Sequence, residues 1–471
     1  MNSAEVLVIG GGISGLSIAW WLAQQGIPVE VWEKSPRLGG KIRTNSHSGY
    51  MTEQAASLLL NFRPEIDHCI ESAGLTAARE SRGEDLSRYV VHHGRLVEMP
   101  MQFSKLARSS LWSRQTKLHL LAEVLMPRSR ESHESVSQFI SRRFGSEILE
   151  SAIDPFIGGT LASDPDHADA RSVLPRLTEL EQRYGSITTG MLINRIIKRR
   201  RINISESFSF NQGMSELINA LSNHPLIKLK TNSNVDELQF QKGSWQIQAN
   251  NGTQQRQVRH LVVSTPACHA ADLLLPIDSA LSSLLGGIQY APLSVVHLGF
   301  DRDQIKHPLK GSGFLTARRE RLSFNGNLWM SSLFSNRASP GKVLLSSYMG
   351  GARHPERCSW SDDRQVSAIT SDLKRLIGLR GSPDFVRIDH HQQALPLYYG
   401  DYQKRLSTIN DQLELWPGLH LVANYQGGVS VRERIYQGMK AAQRISNVLT
   451  SQQCEDRSRV GGAATLAASS Y

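Results

Sequence analysis

The chain is poor in cysteine. Its four cysteines in 471 residues, Cys69, Cys268, Cys358 and Cys454, are far apart and form no C-x-x-C pair. That spacing excludes a disulfide framework or zinc ribbon as the basis of the fold and favours a reducing, cytoplasmic setting. There is no internal repeat. The charge-free stretch 6–29 is broken by Gly10 to Gly12, Gly26 and Pro28 and follows no basic residue, so it reads neither as a signal peptide nor as a membrane span. No Ser/His/Asp or Cys/His grouping stands out. His92, His93, His390 and His391 read as strand residues rather than ligands, so no metal site is expected. The basic run Arg195 to Arg201 has no interleaved aromatics, which argues against a nucleic-acid partner.

Positive charge, by contrast, is in excess. Fifty-three Lys and Arg against 43 Asp and Glu give a formal net charge of +10, which suggests an anionic partner. Six basic residues, Lys105, Arg108, Arg114, Lys117, Arg128 and Arg130, face one acid, Glu123, between positions 105 and 130. In the same region Thr116 to Met126 is amphipathic, with Leu118, Leu121 and Leu125 on one side, and Leu111 and Trp112 sit between arginines. Apolar residues flanked by Arg and Lys suit a helix lying in the interface of an anionic membrane. A helix packed on its own domain with solvated charges fits the same pattern.

The most informative stretch is Val6 to Glu33. Val6 to Ile9 reads as a buried strand, Ile13 to Gln25 as a helix ended by Gly26, and Pro28 to Trp32 as a second strand. Gly10, Gly12 and Gly15 fall in the G-x-G-x-x-G spacing of a dinucleotide-binding βαβ unit. Gly10 permits the tight turn, Gly12 lets a pyrophosphate approach the backbone, and Gly15 lets the helix pack against the sheet. The helix start, at Ile13 and Ser14, offers free N–H groups to the anion. Glu33 stands where a carboxylate accepts hydrogen bonds from the adenosine ribose, and no basic residue is there to receive a ribose phosphate.

The next segment, Arg37-Leu38-Gly39-Gly40-Lys41-Ile42-Arg43-Thr44, resembles the second signature of the flavin-dependent amine-oxidase superfamily, R-x-G-G-[RK]-x-x-[ST]. The glycine pair permits close approach, and Arg37, Lys41 and Arg43 supply positive potential. The resemblance implies FAD as cofactor, held by the first turn, by Glu33, Lys34, Arg37, Gly39, Gly40 and Lys41, and by later returns of the chain at Val235, Thr265, Asn424 and Val429.

At 471 residues two or three domains are expected. The fold class read from the pattern is α/β in a multi-domain α+β layout: a Rossmann-like FAD-binding domain, an antiparallel-sheet substrate domain and a helical insert. The FAD-binding domain is assigned to 1–85, 202–290 and 396–450, the sheet domain to 86–110 and 291–395, and the insert to 111–201. Residues 451–471, small and polar, are assigned to a disordered tail.

Over nearly its whole length the chain also resembles the oxygen-dependent protoporphyrinogen oxidases, a family within that superfamily. The matching motifs are Asp154-Pro155-Phe156-Ile157-Gly158-Gly159, Ala162-Ser163-Asp164-Pro165, Leu180 to Ser186, Phe208 to Met214, Ser331 to Phe334, Gly350 to Arg353 and Gln393 to Tyr398. The resemblance implies oxidation of protoporphyrinogen IX to protoporphyrin IX by hydride transfer to flavin N5, with dioxygen as acceptor. It implies a site on the cytoplasmic membrane as a peripheral protein and leaves a homodimer open. Arg88 matches the arginine that pairs with a substrate propionate, a role that suits a guanidinium fork. Leu315 and Trp329 match positions that sandwich a pyrrole ring. Ser57 stands where Asn or Asp usually faces the substrate, and Ala55, Leu397 and Asp401 are further departures. Coproporphyrinogen III oxidation, another amine-oxidase or desaturase activity, and a flavin-free escort-type binding protein are the alternative readings.

Overall fold

Four consecutive apolar residues, Val6–Ile9, cannot present a face to water, and all four are buried at the centre of a five-stranded parallel sheet. The order runs Ile227–Lys230, Val29–Trp32, Val6–Ile9, His260–Val263 and Leu419–Leu421, so three separate parts of the chain build one sheet. The protein is seen here as a computed structural model that describes residues 5–82, 86–100, 109, 111–129, 131, 133–197 and 206–467. Lys105, Arg108, Arg130 and residues 198–201 of the basic segments noted above lie outside the described residues.

The first helix, Ile13–Gln24, is buried along most of its length because it is covered on both sides. It packs on the sheet and against the long helix Val431–Ala467, where Gly438 allows close contact: a Cβ there would stand 2.9 Å from Ile18 N. The end of the chain differs from the expected tail. The helix continues past Ser451 to Ala467. A meander of Val235–Gln241, Ser244–Ala249 and Gln254–Val258 lies within the second of these parts, between its strands Ile227–Lys230 and His260–Val263.

A second sheet has seven strands in the order Phe385–Pro396, Tyr290–Asp301, Lys342–Gly350, Gly326–Trp329, Gly313–Thr316, Arg88–His92 and Arg95–Glu98. It is antiparallel apart from the parallel pair Gly313–Thr316 with Arg88–His92. One face is closed by the amphipathic helix Asp362–Ile377, which inserts Ile369, Leu373 and Ile377 and ends at Gly378 in the left-handed conformation.

Between 111 and 197 the chain is helical, with an apolar core that it shares with Val90 of the second sheet. Leu111 and Trp112, expected at a membrane interface, belong to that core instead: Leu111 is 1% exposed, Trp112 is 7% exposed, and its indole N–H donates to Ser151 Oγ at 2.7 Å. The helix Arg114–Ala122 and the turn after it behave differently. Glu123 is fully buried against Arg143, while Leu118, Leu121 and Leu125 are 66%, 76% and 86% exposed. Among the described residues no helix is long and apolar enough to cross a membrane.

Candidate active site

Two glycine turns, nearly thirty residues apart in sequence, meet at the carboxyl end of the parallel sheet. Gly10, at φ +104°, donates its N–H to Trp32 O at 2.8 Å. Gly39 donates to Gly11 O at 2.8 Å and pairs with Gly12. A Cβ on Gly15 would stand 2.0 Å from Gly10 O, and one on Gly40 3.2 Å from Gly12 Cα, so neither turn has room for a side chain. The helix that begins at Ile13 and Ser14 has no side-chain cap, which leaves its first N–H groups to an anion.

Glu33 is 9% exposed and its carboxylate is oriented by backbone: Gly11 N–H donates to Oε2 at 2.8 Å and Ser35 N–H to Oε1 at 2.9 Å. Ser233 N–H donates to Glu33 O at 2.9 Å, which places Val235, two residues on, beside the same turn. Lys34 is exposed, with its charge felt by His269. Arg37 braces its own loop, donating to Gly40 O at 2.7 Å and Leu38 O at 3.1 Å. Lys41 crosses to the second sheet and donates to the carbonyls of Gln393 and Ala394; burial lowers its ammonium to about 8.

The other returns of the chain close the cradle. The hydroxyls of Ser264 and Thr265 are buried beside Gly10 with no partner among the described residues. Asn424 accepts from Tyr290 OH through its side chain at 3.3 Å and from Tyr398 OH through its carbonyl at 2.8 Å. Val429 packs at the edge of the same core. Side-chain-free turns, an uncapped helix, an oriented carboxylate and two orphaned hydroxyls fit a dinucleotide, and the residues present therefore suit FAD.

Strand register decides which residues share a face of the second sheet. Arg88 is paired with Gly313 and Gly313 with Leu328; Leu315 is paired with Gly326 and Gly326 with Tyr348. Alternation therefore puts Arg88, Leu315, Leu328 and Tyr348 on one face, and all four are half-buried. Ser57, from the loop after the Tyr50–Glu53 strand, meets this face with its Oγ 3.1 Å from Tyr348 OH. The helix Asp154–Leu161 covers Leu315. A Cβ on Gly159 would stand 2.5 Å from Leu315 Cδ2, and one on Gly158 3.1 Å from Arg353 Nη1, which explains the Gly158-Gly159 pair. Asp154 and Arg353 clamp the helix to the sheet.

Trp329 is not brought to that face. It follows Leu328 in the strand, so it points the other way and is fully buried with Tyr89, His307 and Phe314 under the helix Asp362–Ile377. It cannot form a slot with Leu315. Leu328 and Tyr348 are the residues that adjoin Leu315, and sequence reading missed them. Period-two alternation would have found them only with the pairing register in hand. Arg88 has no carboxylate partner among the described residues, and burial alone lowers its guanidinium from its ordinary value. Nearby, a cavity of about 390 Å³ opens where the insert meets the sheet, lined among others by His167, Tyr290, Arg353 and Tyr399.

Residues 13–446 match the family described as flavin containing amine oxidoreductase. The chain is 31% identical over 486 residues to protoporphyrinogen oxidase 2, chloroplastic/mitochondrial, of Arabidopsis thaliana, covering 96% of this chain and 95% of that protein. It is 24% identical over 466 residues to coproporphyrinogen III oxidase of Bacillus subtilis, covering 95% and 98%. Among solved structures, one from Exiguobacterium sp., provisionally named a protoporphyrinogen oxidase, superposes with a TM-score of 0.78 at 20% identity, covering 94% of this chain and 99% of that one.

Proposed function

Since the chain belongs to the flavin containing amine oxidoreductase family and is an FAD-dependent oxidoreductase, we propose that its substrate is a porphyrinogen. In the primary reading protoporphyrinogen IX loses six hydrogens to become protoporphyrin IX, with dioxygen as terminal acceptor. Coproporphyrinogen III to coproporphyrin III is the alternative, since relatives of both names align along nearly the full chain. FAD, held by the Gly10–Gly15 turn, Glu33 and the Gly39–Gly40 loop, would supply the two-electron redox chemistry when bound. The protein's part is to bind, orient and exclude water.

The observation that carries this reading is the face formed by Arg88, Leu315, Leu328 and Tyr348. Two leucines and a phenol offer a flat apolar surface to a macrocycle, and an arginine without a carboxylate partner among the described residues offers a fork to a propionate. Ser57 holds the Tyr348 ring in place from the flavin-domain side. The test is anaerobic reduction of the bound flavin by protoporphyrinogen and coproporphyrinogen in parallel, then reoxidation in air. Bleaching of the flavin absorbance by at least one of them is the expected result, and bleaching by neither defeats the reading. Arg88→Ala should raise the apparent KM by about ten- to a hundredfold, the loss of a charge-assisted hydrogen bond, with flavin content unchanged.

The exposed Leu118, Leu121, Val124 and Leu125 support peripheral binding to the cytoplasmic membrane, with Arg114 and Lys117 on the same helix to meet anionic headgroups. Leu121→Glu with Leu125→Glu should abolish sedimentation with anionic vesicles while activity on dispersed substrate persists. Unchanged sedimentation would remove the membrane role.

A further inference from the structure

A full positive charge is buried beside the nucleotide cradle with no carboxylate to balance it. Arg434 is 1% exposed and stands in the first turn of the helix Val431–Ala467, where its N–H donates to Ser430 O at 3.0 Å. Its guanidinium donates to the carbonyls of Ala423 and Gln426, and its Nε has no partner among the described residues. No carboxylate among the described residues lies in ion-pair distance of it. The field of Glu433 reaches it, but that carboxylate is engaged by Arg63 at 3.2 Å and by Arg432 at 3.1 Å. Burial lowers the guanidinium from its ordinary value.

The groups around it are phenols. The charge of Arg434 reaches Tyr290, Tyr398 and Tyr425. Burial raises all three above the ordinary phenol value, so they stay protonated and none of them is a counter-ion. Tyr398 OH donates to Asn424 O at 2.8 Å and Tyr290 OH to Asn424 Oδ1 at 3.3 Å, while Tyr425 OH is fully buried with no partner among the described residues. Tyr290 also accepts from Ala267 N–H at 3.0 Å, two residues after Thr265, and Lys41 Nζ lies 5.9 Å from its ring centre. Arg434 therefore straps the turn that carries Asn424 and Val429, behind the wall of the cradle.

A strap on two carbonyls needs only N–H donors, which an uncharged side chain can supply. A permanent cation adds a cost of desolvation, and in a first turn it also opposes the helix dipole. An anion in the cradle would offset both. The strand order says which anion. At the carboxyl edge of the parallel sheet, Glu33 for the ribose follows Val29–Trp32 and the Gly10 turn for the diphosphate follows Val6–Ile9. His260–Val263 comes next and then Leu419–Leu421, so the Asn424 turn is two strand spacings, roughly 10 Å, from Gly10, on the side away from Glu33. An FAD laid along that edge has its flavin end toward the Asn424 turn.

We infer that Arg434 is the counter-ion of the reduced flavin and raises its reduction potential. An oxidised flavin ring is uncharged, and two electrons taken up with one proton leave it with one negative charge. A fixed cation nearby favours that form over the oxidised one. The inference rests on FAD as the cofactor and not on which porphyrinogen is the substrate.

The experiment is anaerobic reduction of the flavin-loaded full chain by xanthine and xanthine oxidase beside a reference dye, which reads the midpoint potential at pH 7. Arg434→Gln should lower it by about 30 mV or more, a tenfold or larger shift in the two-electron equilibrium, whereas Arg434→Lys keeps the charge and should stay within about twofold, or ~10 mV. Potentials of both variants within twofold of the unmodified protein overturn the inference. So do equal shifts in both, which would assign Arg434 to holding the turn alone. If neither variant keeps its flavin, the unmodified protein decides. Its potential should change by about 30 mV per pH unit between pH 5.5 and 7, one proton for two electrons, because the cation holds the reduced ring anionic; a change of about 60 mV per unit, two protons, overturns the inference.

Discussion

The Ser57 hydroxyl stands 3.1 Å from the Tyr348 hydroxyl, across the boundary between the nucleotide-binding region and the second sheet. The two residues are 291 positions apart, and the bond fixes the Tyr348 ring beside Leu315 at the surface proposed to receive the macrocycle. Tyr348→Phe removes the hydroxyl and keeps the ring. It should cost about 1 kcal/mol of stability and leave KM within about threefold, whereas Tyr348→Ala should raise KM about tenfold. Steady-state kinetics beside thermal melts separate the two effects.

Leu328 and Trp329 are adjacent in sequence and opposite in role. Leu328→Ala should weaken substrate binding by about tenfold, for the loss of a half-buried apolar contact, with a modest change in melting temperature. Trp329→Ala should destabilise by about 3–5 kcal/mol through a cavity under the helix Asp362–Ile377, with KM little changed for the fraction that folds. Equal effects on KM from the two substitutions would contradict the assignment of faces.

Gly15→Ala puts a methyl group into the Gly10 carbonyl. The helix would have to move away from the turn that holds the diphosphate. The expected outcome is loss of bound flavin and destabilisation by about 3 kcal/mol or more, read from the ratio of flavin to protein absorbance and from a denaturant titration.

His297 lies fully inside the second sheet, with Nδ1 2.8 Å from Ser346 Oγ, and burial lowers its imidazolium to about 4. The unfolded chain takes up the proton near pH 6.5, the folded one only near pH 4. Between those values the unfolded state binds more protons, so stability is full above pH 6.5 and falls as pH drops to 4, by about 3 kcal/mol at most. Denaturant titrations at pH 7, 5.5 and 4.5 should show the slope, and His297→Gln should reduce it, the remainder coming from groups such as His420, which burial lowers to about 3.

Much of the nucleotide site is legible in one dimension, because each part is local and its spacing is set by backbone geometry. Gly10, Gly12 and Gly15 are needed by a turn and a helix contact within one βαβ unit, and Glu33 ends the strand that follows. Arg37 shows the limit. Its type and position are readable, but its bonds to Gly40 O and Leu38 O reveal a brace for the glycine loop. At the other end of the chain, composition suggested a loose tail where the helix in fact runs on to Ala467.

The substrate face belongs to tertiary structure. A strand residue's side is relative, and it becomes absolute only when the register is fixed by partners far away in sequence. The resemblance assigned Trp329 to a stacking surface by its motif position. Pairing of its strand with Lys342–Gly350 turned it to the core and turned Leu328 and Tyr348 outward. Leu111 and Trp112 went the same way, into the insert's core, while Leu118, Leu121 and Leu125 remained outside. By itself the sequence determined a dinucleotide turn, since hydrogen-bond geometry over thirty residues leaves few other uses for those glycines. What faces the cofactor was decided by long-range strand pairing and by the three returns of the chain to one sheet, which no local spacing encodes.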